Sequence, residues 1–296
     1  MTGARGFVGR HVTAALAGRG CEVHAVSSAP GAGGGAIWHR ANLLDAADRE
    51  ALVKEASADW LVHLAWHAKP PDYWRHPDNL RWTAASLDLV RAFGDRGGTR
   101  VVGAGTCAEY DWSQGHCSER TTSIAPSSLY GAAKAGCGLV LDAYGRETGL
   151  SLAWARLFFL FGPHDSPARL VPSLVLALCS GQPARCATGS HVRDFLYVAD
   201  AAGALVALLE SGVTGFVNIA SGDPTQVGAL ARGIAERTGR PDLLTIDEGP
   251  VEDRVVTADM TRLTQEVGWH PHVDPSTALD DTVRWWCAAA GRMVNA

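Results

Sequence analysis

The stretch MTGARGFVGR (residues 1–10) places Gly3, Gly6 and Gly9 at the mouth of a segment with helical periodicity. Apolar residues recur at helical spacing from Val8 to Leu16, and glycines close the segment at positions 18 and 20. Small residues at this point let the backbone approach a pyrophosphate, which the N–H groups and the positive dipole end of the helix attract. A tight strand-to-helix turn would use the same spacing, so the segments that follow decide between the two interpretations.

Strand-like and helix-like segments alternate along the rest of the chain. Helical periodicity marks residues 79–93 and 130–149, and short apolar runs indicate strands at 21–27, 58–66, 99–106, 152–162 and 215–222. This alternation is typical of a parallel sheet with helices on both faces, and it favours a dinucleotide loop at the first glycines. We therefore predict an α/β fold, a Rossmann-like doubly wound parallel sheet formed by residues 1–162 and completed by 215–222. Residues 163–213 and 223–296 are predicted to form a smaller C-terminal substrate-binding lobe.

Composition limits the classes of function. The chain has 296 residues, 47% of them hydrophobic, and a net charge of −5, without a block of Lys and Arg. It can bury a large core and lacks the basic footprint of a nucleic-acid binder. No run approaches the ~18 apolar residues of a spanning helix, and the first residues lack the layout of a signal peptide. We expect a cytoplasmic protein with a small-molecule substrate and neither nucleic-acid nor membrane partners.

The cysteines give no sign of cross-linking or of metal binding. There are seven of them, an odd number, and no two are spaced as a CxxC pair. This pattern argues against a disulfide framework and against a structural zinc site, so we predict no metal.

The end of the second strand of such a sheet indicates which cofactor binds. An acidic residue there normally binds the adenosine ribose hydroxyls of NAD, whereas this chain has Ser27 and Ser28. Without a carboxylate to repel it, a 2′-phosphate is tolerated, and Arg5 in the loop can pair with it. Arg5 is equally compatible with a solvated loop charge. We predict NADP as the cofactor, with NAD as the alternative.

Tyr130 and Lys134 lie four residues apart on one predicted helix, so their side chains share a face. An ammonium near a phenol lowers the pKa of the phenol, which can then exchange a proton with a carbonyl or an alcohol. An isolated pair of this kind is more often a solvent-facing feature. Here Thr106 stands at the carboxyl end of the preceding strand, where ligands bind in open parallel sheets. We predict that Thr106, Tyr130 and Lys134 are catalytic.

Eight segments together resemble the extended short-chain dehydrogenases/reductases, the NAD-dependent epimerase/dehydratase group that mostly handles nucleotide sugars. In chain order they are TGARGFVG, HLAW, GTCAEY, YGAAK, FGP, RDFLYVAD, NIASG and VGWHP. The resemblance implies the same catalytic roles for Tyr130, Lys134 and Thr106. It also implies that Arg193 of the RDF segment meets a substrate diphosphate, that Arg254 assists it, and that the protein forms a homodimer.

Departures from the family pattern bear on the reaction. The 4,6-dehydratases usually carry an Asp-Glu pair after the catalytic Thr, because elimination of water needs a further acid and base. This chain has Cys107 and Ala108 there, which disfavours dehydration. Ketoreductases and epimerases both remain, and the missing ribose-binding acid favours reduction of an NDP-4-keto-6-deoxysugar. The alternatives are an NAD-dependent nucleotide-sugar 4-epimerase, a reductase of aromatic polyketide-type ketones, and a non-catalytic NADP-binding redox sensor.

Aromatic and imidazole side chains cluster at the carboxyl end of the predicted strand 58–66 and in the segment that follows it: Trp66, His67, Tyr73, Trp74, His76 and Trp82. Most are expected to pack in the core, and the two nearest the strand end are candidates for substrate contact. The predicted substrate contacts are thus Trp66, His67, Cys107, Arg193 and Arg254. The predicted cofactor contacts are Gly3, Arg5, Gly6, Phe7, Val8, Gly9, Ser27, Ser28, Asn42, Leu43, Leu64, Ala65, Tyr130 and Lys134.

The first strand of this fold lies in the middle of the sheet, and members of the family have several apolar residues before the TG pair. Here Met1 stands where that strand would end. Omitting the strand would leave backbone groups of its neighbours unpaired, at about 1–3 kcal/mol for each buried group. We therefore expect either that the native chain starts a few residues upstream or that this sequence begins at an internal start site.

Overall fold

A computed structural model describes residues 1–31, 33–250 and 254–294. Positions 32, 251–253 and 295–296, which belong to the predicted domains, lie outside the described residues. The helices are α1 (Phe7–Gly18), α2 (Ala46–Ala56), α3 (Asp78–Asp95), α4 (Leu129–Thr148), α5 (Leu170–Cys179), α6 (Val198–Ser211), α7 (Val227–Arg237) and α8 (Pro275–Val294). The strands are β1 (His24–Ser27), β2 (Ile37–Arg40), β3 (Trp60–His63), β4 (Arg100–Thr106), β5 (His116–Cys117), β6 (Ser151–Leu157), β7 (Phe159–Phe161), β8 (Ala184–Cys186), β9 (Val192–Tyr197), β10 (Gly215–Ile219), β11 (Pro224–Gln226), β12 (Leu244–Ile246) and β13 (Val255–Ala258).

Two parallel blocks form the main sheet. One is the pair β1–β2, and the other has the order β10-β6-β4-β3. Thr2 lies between the blocks, with single parallel bridges to Val26 of β1 and His63 of β3. The predicted α/β fold with a doubly wound parallel sheet is confirmed.

The two faces of this sheet bury separate hydrophobic cores. Residues of α1 and α6 pack on one face, whereas residues of α2, α3 and α4 pack on the other. A third core lies among α5, α7 and α8, away from the main sheet. The carboxyl ends of the main-sheet strands face the helices of this third core, and residues of α5 and α7 line the same cavity as those strand ends.

Helix α6 fits the predicted division into lobes least well. It falls within 163–213, the range predicted for the smaller lobe, yet Ala201, Leu205 and Leu208 share a core with Val12 and Leu16 of α1. The helix therefore belongs by its packing with the larger domain. The sequence of α6 predicts a helix with an apolar face, but periodicity alone does not reveal whether that face packs on the main sheet or on the smaller lobe. The remaining division stays a prediction.

The predicted strand at 152–162 is two strands. β6 ends at Leu157 and stays in the main sheet, whereas β7 pairs with β9. Phe158 lies between them and donates its backbone N–H to Ile219 O at 3.0 Å. At this point the chain leaves the main sheet. The elements that follow, beginning with β7, lie over the carboxyl ends of its strands.

The structure differs from the expectation about cysteines in one place. Cys179 of α5 and Cys287 of α8 are joined by a disulfide, with their Cα atoms 5.7 Å apart. The two positions are 108 residues apart in sequence, so their spacing carries no signal of the pairing. Among the described residues, no group of three or more His, Cys, Asp or Glu side chains is placed to hold a metal ion. Within the same ranges, no helix has the length and apolar character needed to cross a membrane.

Candidate active site

A cavity of 880 Å³ opens at the carboxyl ends of β1, β3, β4 and β6. Its wall includes Ser27 at the end of β1, Thr106 at the end of β4 and Leu157 at the end of β6. Elements outside the main sheet complete the wall, among them the N-terminal turn of α5 and Arg193 of β9. Ligands of open α/β sheets bind at this position, so the cavity is the candidate site.

The glycine loop is shaped as a cradle for a diphosphate. A Cβ on Gly9 would lie 2.0 Å from Gly3 O, so the loop can close on the helix only with glycine here. Gly3 has φ of +70°, and a Cβ there would lie 2.9 Å from the backbone N of Ala65. Helix α1 begins after Gly6, whose lack of a side chain leaves its first N–H groups uncapped and open to an anion. These features fit the predicted dinucleotide.

The end of the cavity next to β1, where the adenosine of a dinucleotide is predicted to bind, has a polar, carboxylate-free lining. Ser27, Ser28 and Asn42 line it, and Arg5 Nη1 donates to Pro30 O at 2.7 Å. That bond holds the guanidinium beside the loop that follows the two serines. Among the described residues that line the cavity, the single carboxylate is Asp165, which lies next to Arg169 in the segment before α5.

Lys134 is buried, with 3% of its surface exposed, and is held from two sides. Its Nζ donates to Ala104 O at 2.7 Å and lies 3.9 Å from the centre of the Trp66 ring. The indole is anchored in turn, because Trp66 Nε1 donates to Asn79 Oδ1 at 2.8 Å. Burial lowers the pKa of Lys134 to about 8. The ammonium is thus fixed by a cation–π contact that was not predicted.

Tyr130 is packed among aromatic rings. Tyr73 and Trp74 meet it edge to face, with ring centres 4.9 Å and 5.7 Å away. Burial raises the pKa of the Tyr130 phenol above its ordinary value, with a further rise from Tyr73, while a hydrogen bond with Thr106 opposes it. Removal from water is the largest influence on this pKa, and the expected lowering by Lys134 stays a prediction. The phenol is therefore protonated at neutral pH.

Thr106 is fixed by a carboxylate that the sequence analysis missed. Glu109 is fully buried and accepts the Thr106 N–H at 2.8 Å, the Trp154 indole N–H at 2.9 Å and Arg156 Nε at 2.7 Å. The available signal was a charge in each of two otherwise apolar stretches, Glu109 in GTCAEY and Arg156 in LAWARLFF.

The two predicted arginines behave differently. Arg193 lines the cavity, and its guanidinium bonds to His191 Nδ1 at 2.9 Å and to Arg254 O at 3.1 Å. The side chain of Arg254 is exposed and outside the lining of the cavity. Its carbonyl also accepts the Val192 N–H at 2.7 Å, so Arg254 supports β9 through its backbone. The predicted substrate contact of Arg254 is not brought to the site.

The other predicted substrate contacts all line the cavity, namely Trp66, His67 and Cys107. Nε2 of His67 is buried and has no hydrogen-bond partner among the described residues. Burial also raises the pKa of the Cys107 thiol, which is therefore neutral. Every predicted cofactor contact lines the same cavity: Gly3, Arg5, Gly6, Phe7, Val8, Gly9, Ser27, Ser28, Asn42, Leu43, Leu64, Ala65, Tyr130 and Lys134. Their individual roles remain predictions.

A family model described as the NAD dependent epimerase/dehydratase family matches residues 1–220. UDP-glucuronic acid decarboxylase 1 of Xenopus tropicalis is 26% identical over 301 residues, which cover 97% of this chain and 71% of the relative. UDP-glucose 4-epimerase of Corynebacterium glutamicum is 26% identical over 323 residues, which cover 99% of this chain and 96% of the relative. The structure of Thermus thermophilus UDP-glucose 4-epimerase in complex with NAD superposes with a TM-score of 0.85 at 25% identity, covering 97% of this chain and 98% of that chain.

The match spans well over half of the chain and includes the glycine loop, Thr106, Tyr130 and Lys134. The chain therefore belongs to the NAD-dependent epimerase/dehydratase family. It is an enzyme of the extended short-chain dehydrogenase/reductase type.

Proposed function

We propose that the protein is an NADP(H)-dependent reductase of the keto group of an NDP-4-keto-6-deoxysugar. The observation that carries this proposal is the adenosine end of the cavity, where Ser27, Ser28 and Arg5 stand and no described lining residue is acidic. A carboxylate would repel a 2′-phosphate, whereas a guanidinium pairs with it. An enzyme that prefers the phosphorylated cofactor fits a reaction in which the reduced cofactor is consumed and exchanged.

The catalytic residues suit reduction. The glycine loop of Gly3, Gly6 and Gly9 would hold a reduced nicotinamide dinucleotide, which would supply the hydride for the carbonyl carbon. The ordinary pKa of a phenol, about 10, already keeps Tyr130 protonated at neutral pH, and burial raises this pKa further, so Tyr130 can donate its proton to the carbonyl oxygen. Thr106 is positioned to hold the same oxygen, and the Lys134 ammonium stabilises negative charge that develops on the Tyr130 phenolate.

The residues at the substrate end of the cavity favour a nucleotide sugar as the substrate and disfavour its dehydration. Arg193 supplies a guanidinium for a diphosphate, the role that the family resemblance implies. The neutral Cys107 and the apolar Ala108 follow Thr106, so neither offers the acid or base that elimination of water needs. The relatives named for UDP-glucose and UDP-glucuronic acid support the same substrate class.

The direct test is consumption of NADPH. Incubation of the protein with an NDP-4-keto-6-deoxysugar and NADPH should decrease the NADPH absorbance, with one equivalent oxidised for each ketone reduced. Tyr130→Phe should lower kcat by about 100-fold or more, because a positioned acid contributes about 10²–10⁴-fold, while NADPH affinity stays near that of the wild type. Equal loss of catalysis and cofactor affinity, or no oxidation by the wild type, would contradict the proposal.

The cofactor preference has its own test. Arg5→Ala should weaken NADPH binding by about tenfold, the value of a lost charge-assisted hydrogen bond, and leave NADH binding nearly unchanged. Arg19→Ala is the matched control, since Arg19 lies beyond the far end of α1 and pairs with Glu210. Equal affinity of the wild type for NADPH and NADH, measured by calorimetry, would refute the assignment of Arg5.

A second candidate is an NAD-dependent nucleotide-sugar 4-epimerase. The observation in its favour is the Corynebacterium glutamicum UDP-glucose 4-epimerase, which matches nearly the whole of this chain. An epimerase would retain NAD through purification and would interconvert UDP-glucose and UDP-galactose without net oxidation of a cofactor. Analysis of the nucleotide released on denaturation, together with that interconversion, separates the two candidates.

A further inference from the structure

Asp165 is a buried carboxylate that the proposed chemistry does not use. Its side chain is 3% exposed and lines the cavity. One oxygen, Oδ1, accepts the Ser166 N–H at 2.7 Å and lies 3.4 Å from Arg169 Nε. The other oxygen accepts no hydrogen bond from the described residues. Burial raises the pKa of Asp165 to about 6, so the group is still a carboxylate at a pH of about 7.5.

Arg169 brings a guanidinium to the same wall of the cavity. Its Cζ lies 5.7 Å from the centre of the Tyr73 ring, and the Tyr73 ring packs directly on Tyr130. The Arg169 charge also reaches the Tyr130 phenol, whose pKa it lowers against the effect of burial. The Asp165–Arg169 pair is therefore separated from Tyr130, the proposed proton donor, by the ring of Tyr73 alone.

The turn that presents Asp165 has an unusual backbone. His164 has φ of +69°, in the left-handed region, which residues other than glycine adopt only when their surroundings hold them there. Contacts on two sides hold it there, with Arg10 Nη1 at 3.1 Å from its Nδ1 and the Trp285 ring centre at 4.5 Å. The strained turn directs Asp165 into the cavity.

We propose that Asp165 and Arg169 form a clamp for two neighbouring hydroxyls of the substrate hexose, which makes them specificity-determining residues. Asp165 accepts a hydrogen bond from one hydroxyl, and Arg169 donates one to the next. A carboxylate and a guanidinium side by side match a vicinal diol, which presents both a donor and an acceptor. The inference rests on the proposed nucleotide-sugar function and adds that the accepted sugar keeps a free diol next to the reacting carbon.

The test isolates the contribution of the hexose to affinity. Calorimetry measures the Kd of UDP-glucose against UDP, and of dTDP-glucose against dTDP, with NADPH bound. The wild type should bind the sugar nucleotide more tightly than the nucleotide. In Asp165→Asn and in Arg169→Gln, this ratio should fall by about tenfold, the value of a hydrogen bond to a charged group, while the Kd of NADPH is unchanged.

The matched control is Asp142→Asn. Asp142 and Arg146 form an ion pair with the same four-residue spacing on α4, away from the lining of the cavity, and this change should leave the ratio as in the wild type.

Three outcomes would overturn the clamp. The first is an unchanged ratio in both variants, and the second is an equal loss of affinity for nucleotide and sugar nucleotide. The third is a fall in melting temperature and NADPH affinity in both variants, which would make the pair structural. A wild type that binds none of the four nucleotides and oxidises no NADPH with an NDP-4-keto-6-deoxysugar would instead contradict the proposed function itself, so the two failures are distinguishable.

Discussion

Lys134 shows how burial sets the chemistry of a single side chain. Its ammonium sits between Ala104 O and the Trp66 ring, and removal from water lowers its pKa to about 8. Trp66 was expected to face the substrate, and it lines the cavity while its ring also covers the ammonium of Lys134. A cation with this pKa is present at neutral pH and is lost under mildly alkaline conditions.

The pH dependence of the reaction follows from this pKa. Below about pH 8 Lys134 is an ammonium, and above it the charge that stabilises the Tyr130 phenolate disappears. We expect kcat for ketone reduction to fall by about tenfold per pH unit once the pH exceeds about 8. Lys134→Met should be slow at every pH and should lack this alkaline limb. A wild-type profile that stays flat to a pH of about 10, measured with saturating NADPH, would contradict the assignment.

At the scale of elements, the position of Thr106, the predicted catalytic threonine, depends on the packing of β4 against β6. Trp154 of β6 fills the space that three glycines leave open. A Cβ on Gly103 or Gly105 would approach its ring to 2.6 Å or 2.3 Å, and one on Gly138 of α4 to 2.7 Å. The indole and Arg156 of β6 then hold Glu109, which accepts the Thr106 N–H. The position of Thr106 is thus decided by a neighbouring strand.

Removing Glu109 should affect both stability and catalysis. Glu109→Ala leaves the buried Arg156 guanidinium unpaired and should lower the free energy of unfolding by about 3–5 kcal/mol. Glu109→Gln keeps an acceptor for Thr106 N and should cost less and retain more activity. Glu266→Ala breaks exposed pairs with Arg120 and Arg262 and serves as the control, with a loss below about 1 kcal/mol. Urea denaturation measures all three, and similar losses for Glu109→Ala and the control would contradict this account.

At the scale of the whole molecule, single contacts connect segments that are far apart in the chain. Asp200 at the start of α6 accepts the backbone N–H groups of His272 and Val273 at 3.2 Å and 3.1 Å. Those residues precede α8, which the Cys179–Cys287 bond joins to α5. The N-terminal turn of α5 lines the cavity, so the C-terminal helix is coupled to its wall. The homodimer implied by the family resemblance stays a prediction.

The disulfide predicts a measurable difference between oxidised and reduced protein. A bond that closes a loop of about 100 residues stabilises a protein by at most about 3–5 kcal/mol, chiefly by restricting the unfolded chain. Cys287→Ser should therefore unfold at a lower urea concentration than the oxidised wild type and should not respond to reductant. Cys21→Ser changes a free cysteine and should behave as the wild type. The disulfide would be contradicted if thiol titration of the denatured, unreduced wild type found seven reactive thiols, since the chain has seven cysteines in all.

Local patterns in the sequence were sufficient for the fold class and for much of the site. The glycine loop, the alternation of strands and helices, and the Tyr130–Lys134 spacing all depend on residues that are near in the chain. The same holds for the residues at strand ends, because parallel strands align their carboxyl ends in one place. This is why the predicted cofactor contacts, and Thr106 with them, line one cavity.

Only the tertiary structure decided which distant residues meet. Asp165 and Arg169 lie beside the ring that packs on Tyr130, Glu109 holds Thr106, and Arg254 lies outside the lining of the cavity. The partnership of α6 with α1 and that of Cys179 with Cys287 were equally invisible in sequence. The physical reason is common to all of them. Periodicity shows that a residue has an apolar or polar face, whereas its partner is determined by how whole elements pack, over separations that no local pattern records.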